Sequence, residues 1–413
     1  MHILFLTDNF PPETNAPASR TFEHCREWVR AGHEVTVITG APNFPQGKLF
    51  PGYRNRLWQE ERMAGIRVVR VWTFIAANQG FLLRTLDYLS FMFAAFFAAL
   101  CLPRAQVVVG TSPQFFTAVA AWAVGLVRNI PFVFELRDLW PASIRAVGAI
   151  RSPRALRWLE RVELFLYRRA ALVVALTEAF RRDLMARGID PARIAVVTNG
   201  ADLSLFAPLP REPGSRFVSG YLGTHGLAHG LDTVLDAAKL LEAGAPGRHM
   251  ILLVGDGADK ARLADRAKRE GIANVRFLAA VPKHRMAQLW SGLDCALVPL
   301  KRDPLFATVL PSKIFEAFAT GVPVVLGVEG EAKALIEETQ AGISVEPENA
   351  QALANAIAQL AEHPEIRDCL AANALQAAPR FERSALALRM LGLLEAVARE
   401  SAVPSTQVSR EPV

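Results

Sequence analysis

Cysteine is scarce in this chain of 413 residues, which contains only Cys25, Cys101, Cys295 and Cys369. None of the four belongs to a Cys-x-x-Cys pair or has histidine partners at the spacing of a zinc site. They are therefore predicted to be reduced thiols of a cytosolic protein, and no disulfide framework is expected. The apolar run at the amino terminus ends at Asp8, so it is too short for the core of a signal peptide.

Motifs of three other protein classes are also missing. The first predicted strand, residues 2–7, does not lead into the Gly-x-Gly-x-x-Gly turn of a dinucleotide-dependent dehydrogenase. The chain has no Asp-x-Asp motif, so neither a bound metal nor another cofactor is expected. It also lacks a zinc finger, a helix-turn-helix and interleaved aromatic and basic residues, which argues against nucleic acid as a partner.

Lysine is nearly absent from the first half of the chain. Residues 1–200 carry 24 Lys and Arg against 15 Asp and Glu, and Lys48 is the only lysine among them. Residues 201–413 carry 22 basic against 25 acidic residues. A basic first half predicts an anionic partner for that half. Because nucleic acid is disfavoured, an anionic membrane surface is the partner that fits better.

Short β-branched runs alternate with helical patterns along the whole chain. This alternation predicts an α/β fold of two doubly wound, Rossmann-like domains that face each other across a cleft. A segment rich in proline and glycine, residues 207–214, marks the linker. The predicted domains are therefore 1–207 and 215–380. Helix 381–400 is amphipathic and is expected to pack back on the first domain, and residues 401–413 are expected to be disordered.

An uncharged helix is predicted at residues 88–102. At ~1.5 Å per residue it would extend roughly 22 Å, which is short of a ~30 Å hydrocarbon core, so it is not expected to span a bilayer. Two interpretations stay open. The helix dips into the membrane interface through Phe93, Phe96 and Phe97, or it is a buried core helix.

A second helix is strongly basic. Arg154, Arg157, Arg161 and Arg168 recur at helical spacing and so lie on one face. Arginines with aromatic neighbours suit lipid phosphate, which gives the hypothesis of a membrane contact. A plain solvated face is the alternative.

The segment at residues 311–325 is typical of a loop, a short helix and a buried strand. Ser312 stands at the predicted N-cap, beside backbone N–H groups that would stabilise an anion. Lys313 adds a charge suited to a diphosphate, and one turn later Glu316 can accept hydrogen bonds from two neighbouring hydroxyls. A phosphate ligand beside a diol ligand indicates a nucleoside-diphosphate sugar. A capped helix with a solvated Lys–Glu pair is the alternative.

Two glycine turns follow predicted strands of the second half. Gly223 and Thr224 follow strand 217–222, and Gly255 and Asp256 follow strand 249–254. Glycine lets backbone N–H groups approach a phosphate closely, so the first turn is a candidate phosphate site. The second turn would lie beneath a nucleotide base. Ordinary turn chemistry explains both equally well.

Together these motifs resemble the retaining glycosyltransferases of family 4, which have the GT-B fold. Nearest in appearance are the WbuB-like enzymes of bacterial capsule, O-antigen and colanic-acid synthesis, because they share Gly-Thr-His-Gly and Leu-Pro-Ser-Lys-x-Phe-Glu. The resemblance implies a cytoplasmic enzyme, peripheral on the inner face of the cytoplasmic membrane. The motifs that carry it lie at residues 8–13, 135–141, 198–202, 221–223, 255–257 and 311–325.

The resemblance also implies roles for individual residues. Glu316 matches the second glutamate of the family's Glu-x7-Glu motif, which holds the ribose hydroxyls. The first glutamate would fall at Thr308, so the chain departs from the pattern there. Thr224 and His229 occupy the places of the family's basic pair. Lys313 is then the main cation for the diphosphate.

The expected chemistry is the departure of a diphosphate from the anomeric carbon. Lys313 would stabilise the developing charge together with the N–H groups of Gly223 and Thr224. Arg302 is a second candidate cation for the diphosphate. The resemblance implies a front-face route in which the departing phosphate takes the proton of the acceptor.

Two carboxylates of the first half are candidates for positioning the acceptor or a sugar hydroxyl. Asp138 follows a predicted strand, and the family's His-Asp pair is Arg137-Asp138 here. Glu13 follows the Pro-Pro turn after the first strand. Each also has an interpretation without a role in binding. Asp138 could be a structural residue bonded to turn amides, and Glu13 could be a surface carboxylate.

The leading hypothesis is transfer of a sugar, of the N-acetylhexosamine type, from a UDP-sugar to a polyprenyl-diphosphate-linked saccharide. A nucleotide-sugar 2-epimerase of the same fold is an alternative, but it would need clustered acid/base carboxylates and histidines, and the eight histidines are scattered. A scaffold that binds the nucleotide sugar without catalysis is the other alternative. The departure at Thr308 keeps it open.

Overall fold

The computed structural model describes residues 1–13, 15–44, 47–75, 81–140, 152–210 and 214–402. The chain divides into two compact units. Unit 1 holds Met1–Leu176, Phe180–Val197 and the chain from Ser384 onward, and unit 2 holds Thr177–Ala179 and Thr198–Arg383. The boundary between the two units lies after Val197, which is earlier in the chain than the predicted boundary at residue 207. Residues 211–213 of the predicted linker and 403–413 of the predicted tail lie outside the described residues.

Unit 1 is built on an eight-stranded sheet. In chain order its strands are β1 (His2–Leu6), β2 (Glu34–Gly40), β3 (Trp58–Met63), β4 (Ile66–Val71), β5 (Val107–Thr111), β6 (Phe132–Leu136), β7 (Leu172–Ala175) and β8 (Ile194–Val196). Across the sheet the order is β3-β4-β2-β1-β5-β6-β7-β8. Neighbours are parallel except for β3, which runs antiparallel to β4.

The parallel strands of unit 1 are continuous apolar runs because both faces of the sheet are covered. Strands β1, β5 and β6 are buried at every residue. The antiparallel edge strand β3 differs, since its residues alternate between exposed and half-buried. Its sequence, Trp-Gln-Glu-Glu-Arg-Met, has no apolar run, and for that reason it was not predicted.

Helices accompany the strands of unit 1. They are α1 (Ala16–Arg30), α2 (Phe81–Cys101), α3 (Phe115–Arg128), α4 (Pro153–Arg169) and α5 (Glu178–Ala186). Side chains start three of them: Asn15, Gln114 and Ser152 each accept a hydrogen bond from a backbone N–H of the first turn. Proline in the first turn of α1 and α4 costs no hydrogen bond there.

Unit 2 has a six-stranded parallel sheet, ordered β11-β10-β9-β12-β13-β14. The strands are β9 (Phe217–Leu222), β10 (His249–Val254), β11 (Val275–Leu278), β12 (Cys295–Pro299), β13 (Val324–Gly327) and β14 (Gly342–Ser344). The helices are α6 (Leu231–Gly244), α7 (Lys260–Arg269), α8 (Lys283–Ser291), α9 (Lys313–Ala319), α10 (Glu331–Thr339), α11 (Ala350–Glu362) and α12 (Pro364–Ala377). In both units the predicted α/β, Rossmann-like architecture is confirmed.

The last helix, α13 (Arg383–Ala402), belongs to unit 1 although it follows unit 2 in the chain. The indole N–H of Trp28 donates a 2.8 Å hydrogen bond to the carbonyl of Ala387. One apolar side of α13 completes the core around Ile3 and Phe5, and each fully buried side chain contributes about 2 kcal/mol. The side chains concerned are Leu386, Met390, Leu391, Leu394 and Val397.

Helix α2 is longer than predicted. It has 21 residues and begins at Phe81, and its apolar section, Leu83–Cys101, is long and apolar enough to cross a membrane. The prediction that it is too short was wrong because it included only the uncharged section from residue 88, whereas the helix also contains Arg84 and Asp87. The helix also contacts α3, β2 and β4, and its buried side chains include Phe91 and Ala95. Four of its described residues, Phe91, Ala95, Ala98 and Ala99, are buried, and the others are half-buried or exposed.

Candidate active site

The short helix α9 places two polar residues on one side. Ile314, Phe315 and Phe318 are buried in the core of unit 2, whereas Lys313 and Glu316 remain half-buried. Residues three apart lie on the same face of a helix, so the amine and the carboxylate are neighbours. Their electrostatic interaction favours the charged form of Lys313.

The amine of Lys313 rests on an aromatic ring. Its Nζ lies 3.6 Å from the ring centroid of Tyr221, the fifth residue of β9. A methyl group added to Gly223 would come within 3.2 Å of the same Nζ. Within the part of the chain that the structure describes, Nζ has neither a hydrogen-bond acceptor nor a carboxylate at salt-bridge distance. Burial lowers the pKa of Lys313 to about 7.

Glu316 is oriented by a buried indole. The Nε1–H of Trp290, whose side chain is fully buried, donates a 3.0 Å hydrogen bond to Oε2 of Glu316. A carboxylate held in this way presents a fixed direction to hydroxyl donors. Trp290 was not among the predicted site residues. A tryptophan in a helix offers only a hydrophobic pattern, and its polar partner becomes visible only in the fold.

The two glycine turns are hydrogen-bonded to each other. The Gly223 N–H donates to Val254 O at 2.9 Å, and the His225 N–H donates to Asp256 O at 2.9 Å. A Cβ at Gly255 would lie 1.9 Å from Gly223 O, so this approach requires glycine. The prediction that the Gly223 N–H binds phosphate was wrong, because that group is already used. Thr224 is exposed beside it.

Three further predictions at the donor site are corrected. Ser312 precedes α9, but its side chain makes no capping hydrogen bond. The N–H groups of Ile314 and Phe315 donate to the carbonyls of Pro311 and Ser312, so they are not free for an anion. Arg302 is exposed and its guanidinium pairs with Glu346, which withdraws it from the diphosphate.

The second turn and Thr308 have local roles in the structure. Asp256 is exposed, and its Oδ1 accepts the N–H of Gly257 at 2.8 Å. The hydroxyl of Thr308 donates to Leu305 O at 2.6 Å inside a short 3-10 helix. Turn chemistry therefore accounts for both residues, and Thr308 offers no carboxylate where the family pattern has one.

Two histidines flank the Tyr221 ring. The ring centroids of His225 and His229 lie 5.7 Å and 5.8 Å from that of Tyr221. Burial lowers the pKa of His225 to about 4, with smaller effects of Lys260 and Lys313 in the same direction. Burial and then Lys313 lower the pKa of His229 to about 3. Both imidazoles are therefore neutral at pH 7 and do not replace the family's basic pair.

In unit 1, Asp138 lies just beyond the carboxyl end of β6. Its backbone N–H and that of Arg137 both donate to Ser112 Oγ, at 3.2 Å and 2.7 Å. Asp138 is half-buried. Residues 141–151, which follow it, lie outside the described residues. Asp138 is thus a carboxylate on a backbone segment fixed to β5 by Ser112.

Glu13 is buried, so its interpretation as a surface carboxylate was wrong. Its exposed fraction is 5%, and its Oε1 accepts the N–H groups of Asn43 and Phe44 at 2.8 Å and 2.9 Å. These bonds fasten the loop that follows β2. Burial raises the pKa of Glu13, although the two backbone N–H groups and Arg70 act in the opposite direction.

Two further carboxyl groups interact with Glu13, and neither was predicted. Burial, followed by the charges of Asp87 and Glu13, raises the pKa of Asp8 to about 8. Burial raises the pKa of Asp87 to about 6, and Glu13 contributes in the same direction. Arg84 partly offsets both shifts. Asp8, Glu13 and Asp87 form an acidic cluster near the carboxyl end of β1.

Comparison with known proteins decides the family. Residues 15–200 match the family described as a glycosyl transferase 4-like domain, and residues 210–377 match glycosyl transferases group 1. The chain is therefore a glycosyltransferase with a 4-like domain followed by a group 1 domain. Its relative in Escherichia coli K12, the colanic acid biosynthesis glycosyl transferase WcaI, is 26% identical over 382 residues. That match covers 87% of this glycosyltransferase and 92% of WcaI.

Solved structures show that this glycosyltransferase has the GT-B fold. Sucrose-phosphate synthase from Thermosynechococcus elongatus matches with a TM-score of 0.77 at 18% identity, over 97% of this chain and 99% of the synthase. HepE of Anabaena, in complex with UDP-glucose, matches with a TM-score of 0.69 at 21% identity, over 96% of this chain and 100% of HepE.

Three neighbouring helices of the glycosyltransferase expose apolar side chains. Helix α2 contacts α3, and the rings of Trp122 on α3 and Phe165 on α4 pack with centroids 5.1 Å apart. The predicted membrane residues divide by exposure: Phe93 and Phe97 are 56% and 61% exposed, and Phe96 is half-buried. We call α2, α3 and α4 the helix surface. Its other exposed members are Leu83, Leu86, Leu126, Val127, Trp158, Arg154, Arg157 and Arg161.

Proposed function

We propose that this glycosyltransferase moves a sugar, with retention of anomeric configuration, from a UDP-sugar to a polyprenyl-diphosphate-linked saccharide in the synthesis of a bacterial surface polysaccharide such as capsule or O-antigen. The observation that carries the proposal is the pairing of Lys313 and Glu316 on one side of α9. An amine with no carboxylate at salt-bridge distance among the described residues suits a diphosphate, and an oriented carboxylate suits a diol. The similarity to WcaI supports the polysaccharide role.

Lys313 has the main role in the proposed chemistry. Negative charge develops on the diphosphate as the anomeric C–O bond breaks, and a preorganised cation in a desolvated site stabilises that charge. By analogy with a single oxyanion donor, such a contact lowers the barrier by ~3 kcal/mol. The backbone N–H of Thr224, an exposed residue, is the second donor in the proposal. Because the amine supplies the positive charge, the proposed mechanism uses no metal.

Uridine is the proposed base, and the support for it is indirect. HepE, which shares the fold, was solved with UDP and with UDP-glucose. The N-acetylhexosamine type of the transferred sugar rests on the resemblance to surface-polysaccharide enzymes. Departure of the diphosphate on the face that the acceptor attacks would preserve the configuration and leave the acceptor proton on the phosphate.

The proposed acceptor residues lie in unit 1. Carboxyl groups accept hydrogen bonds from sugar hydroxyls, and the acidic cluster places three of them near the end of β1, where ligands bind in open α/β sheets. Asp8 and Asp87 are half-buried and so are more accessible than Glu13. In the proposal they hold hydroxyls of the acceptor saccharide, Glu13 fixes the neighbouring loop and Asp138 positions the attacking hydroxyl.

The proposed location is the inner face of the cytoplasmic membrane. A lipid-linked acceptor requires its enzyme to reach the bilayer, and the helix surface has exposed phenylalanines on α2 and exposed arginines on α4. Apolar side chains that enter the interface and cations that contact anionic headgroups act together in peripheral binding. The net charge of +6 has the same sign as this partnership requires.

Transfer by the purified protein tests the proposal. The protein would be incubated with UDP-N-acetylhexosamines and a synthetic polyprenyl-diphosphate saccharide, and the product analysed by mass spectrometry and NMR. A longer saccharide with the anomeric configuration of the donor is expected. A 2-epimer of the donor formed without acceptor would identify an epimerase instead. UDP binding without turnover for any donor or acceptor would identify a scaffold.

A further inference from the structure

The Lys313 amine occupies an unusual position for a lysine that is proposed to bind diphosphate. Nζ lies 3.6 Å from the Tyr221 ring centroid and has no acceptor among the described residues. Lys313 is half-buried, and an ammonium that is partly removed from water and has no protein hydrogen-bond acceptor is costly to keep charged. The ring face therefore provides the main attraction for the charged form at close range.

Tyr221 is a rigid support for this amine. Its side chain is fully buried, and its hydroxyl donates a 2.6 Å hydrogen bond to Thr224 O. The same hydrogen bond shapes the turn that carries Thr224, the proposed second donor to the diphosphate. The ring consequently fixes both the amine and the turn, and it is fixed itself by the core of unit 2.

The charged and titratable groups around Lys313 leave it with one carboxylate. Glu316 faces it from the same helix, while Tyr221 faces it from β9, and His225 and His229 face it from the loop that follows β9. Both histidines are neutral at pH 7 and above. Glu316 is oriented toward the Trp290 indole at 3.0 Å. In the free protein, few groups therefore stabilise the protonated form of the Lys313 amine, and a bound anion would add to them.

We propose that binding of the donor diphosphate is coupled to the uptake of a proton by Lys313, and that Tyr221 is the residue that positions the waiting amine. This inference rests on the proposed function of the donor site. The proton comes from solvent, adds to the lone pair of Nζ and forms the ammonium that pairs with the diphosphate. No other bond forms or breaks in this step.

The number of protons taken up on binding depends on the pKa of Lys313 in the free protein. With a pKa of about 7 in the free protein, half of the Lys313 amines are neutral at pH 7 and about nine-tenths at pH 8. Binding of a diphosphate raises that pKa, so the bound form holds the proton at both pH values. UDP affinity therefore falls as the pH rises through about 7, by up to about tenfold for each further pH unit while the bound amine stays charged.

Calorimetric titration with UDP at pH 8, in two buffers of different ionisation enthalpy, measures the uptake. UDP is already fully ionised there, because its second phosphate pKa is about 6. About 0.9 proton per UDP is expected for the native protein. Binding without proton uptake would overturn this inference and leave the donor site intact. No binding of UDP at all would overturn the proposed function together with the inference.

Variants assign the proton and the ring. Lys313→Arg is always charged, so its UDP binding should show no uptake, and persistent uptake would place the proton on another group. Tyr221→Phe keeps the ring and should retain the native pH dependence. Tyr221→Leu removes the aromatic ring, so the number of protons taken up per bound UDP at pH 7 should rise from about one-half toward one. An unchanged value in Tyr221→Leu would refute the positioning role, provided that its melting curve matches that of Tyr221→Phe.

Discussion

At the scale of single residues, the donor chemistry depends most on Lys313. Lys313→Ala should lower turnover about 10²–10³-fold, because the leaving diphosphate loses its preorganised cation. The steady-state rate of sugar transfer measures this effect. Lys333→Ala is the matched control, since Lys333 is an exposed lysine that pairs with Glu337 on α10. Native turnover in Lys313→Ala would contradict the assignment.

Trp290 allows a separate test of the carboxylate. Trp290→Phe removes the indole N–H from Glu316, so UDP binding should weaken about tenfold, which is typical for one hydrogen bond to a charged group. Glu316→Gln should show a similar loss. Calorimetry with UDP and with 2′,3′-dideoxy-UDP separates the causes. The dideoxy compound should bind equally to the native protein and Glu316→Gln, and equal loss for both ligands would place Glu316 away from the ribose.

Residue types were easier to predict than hydrogen-bond partners. Lys313 and Glu316 could be selected from their spacing because helical periodicity fixes which residues are neighbours. The availability of the Gly223 N–H could not be predicted, since its acceptor, Val254 O, belongs to a strand far along the chain. The burial of Glu13 likewise depends on a loop thirty residues away. Neither hydrogen-bond partner can be predicted from the residues adjacent in sequence.

At the scale of elements, the proposed membrane contact depends on the helix surface. Changing Arg154, Arg157 and Arg161 to Glu should reduce co-sedimentation with liposomes containing anionic lipid. At ~1 kcal/mol per cation, partitioning should fall at least roughly 100-fold. The double change Phe93→Asp and Phe97→Asp should have a comparable effect, and it should persist at high salt.

A matched control distinguishes a specific surface from overall charge. Changing Lys268, Arg269 and Arg276 to Glu makes the same charge change at exposed positions of unit 2. This control should retain most of the native binding. Equal losses of liposome binding in the two triple variants would assign the attraction to net charge. No loss in either variant would show that the basic face of α4 is only solvated and does not contact the membrane.

Element boundaries were predicted less well than element types. Apolar runs revealed the buried parallel strands, because both faces of these sheets are covered. Strand β3 was missed because it is polar and its residues are exposed or half-buried, so it has no apolar run. Helix α2 was predicted too short because only its uncharged section, residues 88–102, was assigned to it, although charged residues are tolerated where a helix reaches a polar site. The misplaced boundary also concealed Asp87 as a member of the acidic cluster.

At the scale of the whole molecule, the alternation of strands and helices was sufficient to predict two Rossmann-like units. The return of α13 to unit 1 was indicated by its apolar face, although the partner of that face, the core around Ile3 and Phe5, appears only in the fold. The donor residues and the acidic cluster lie in different units. In the proposed function, donor and acceptor are therefore bound by residues of different units.

A crystal structure with bound UDP tests the central claim most directly. We expect a phosphate oxygen within about 3 Å of Lys313 Nζ, the amine displaced from the Tyr221 ring, and both ribose hydroxyls on the Glu316 carboxylate. A nucleotide bound elsewhere in unit 2, with Lys313 still resting on Tyr221, would contradict it.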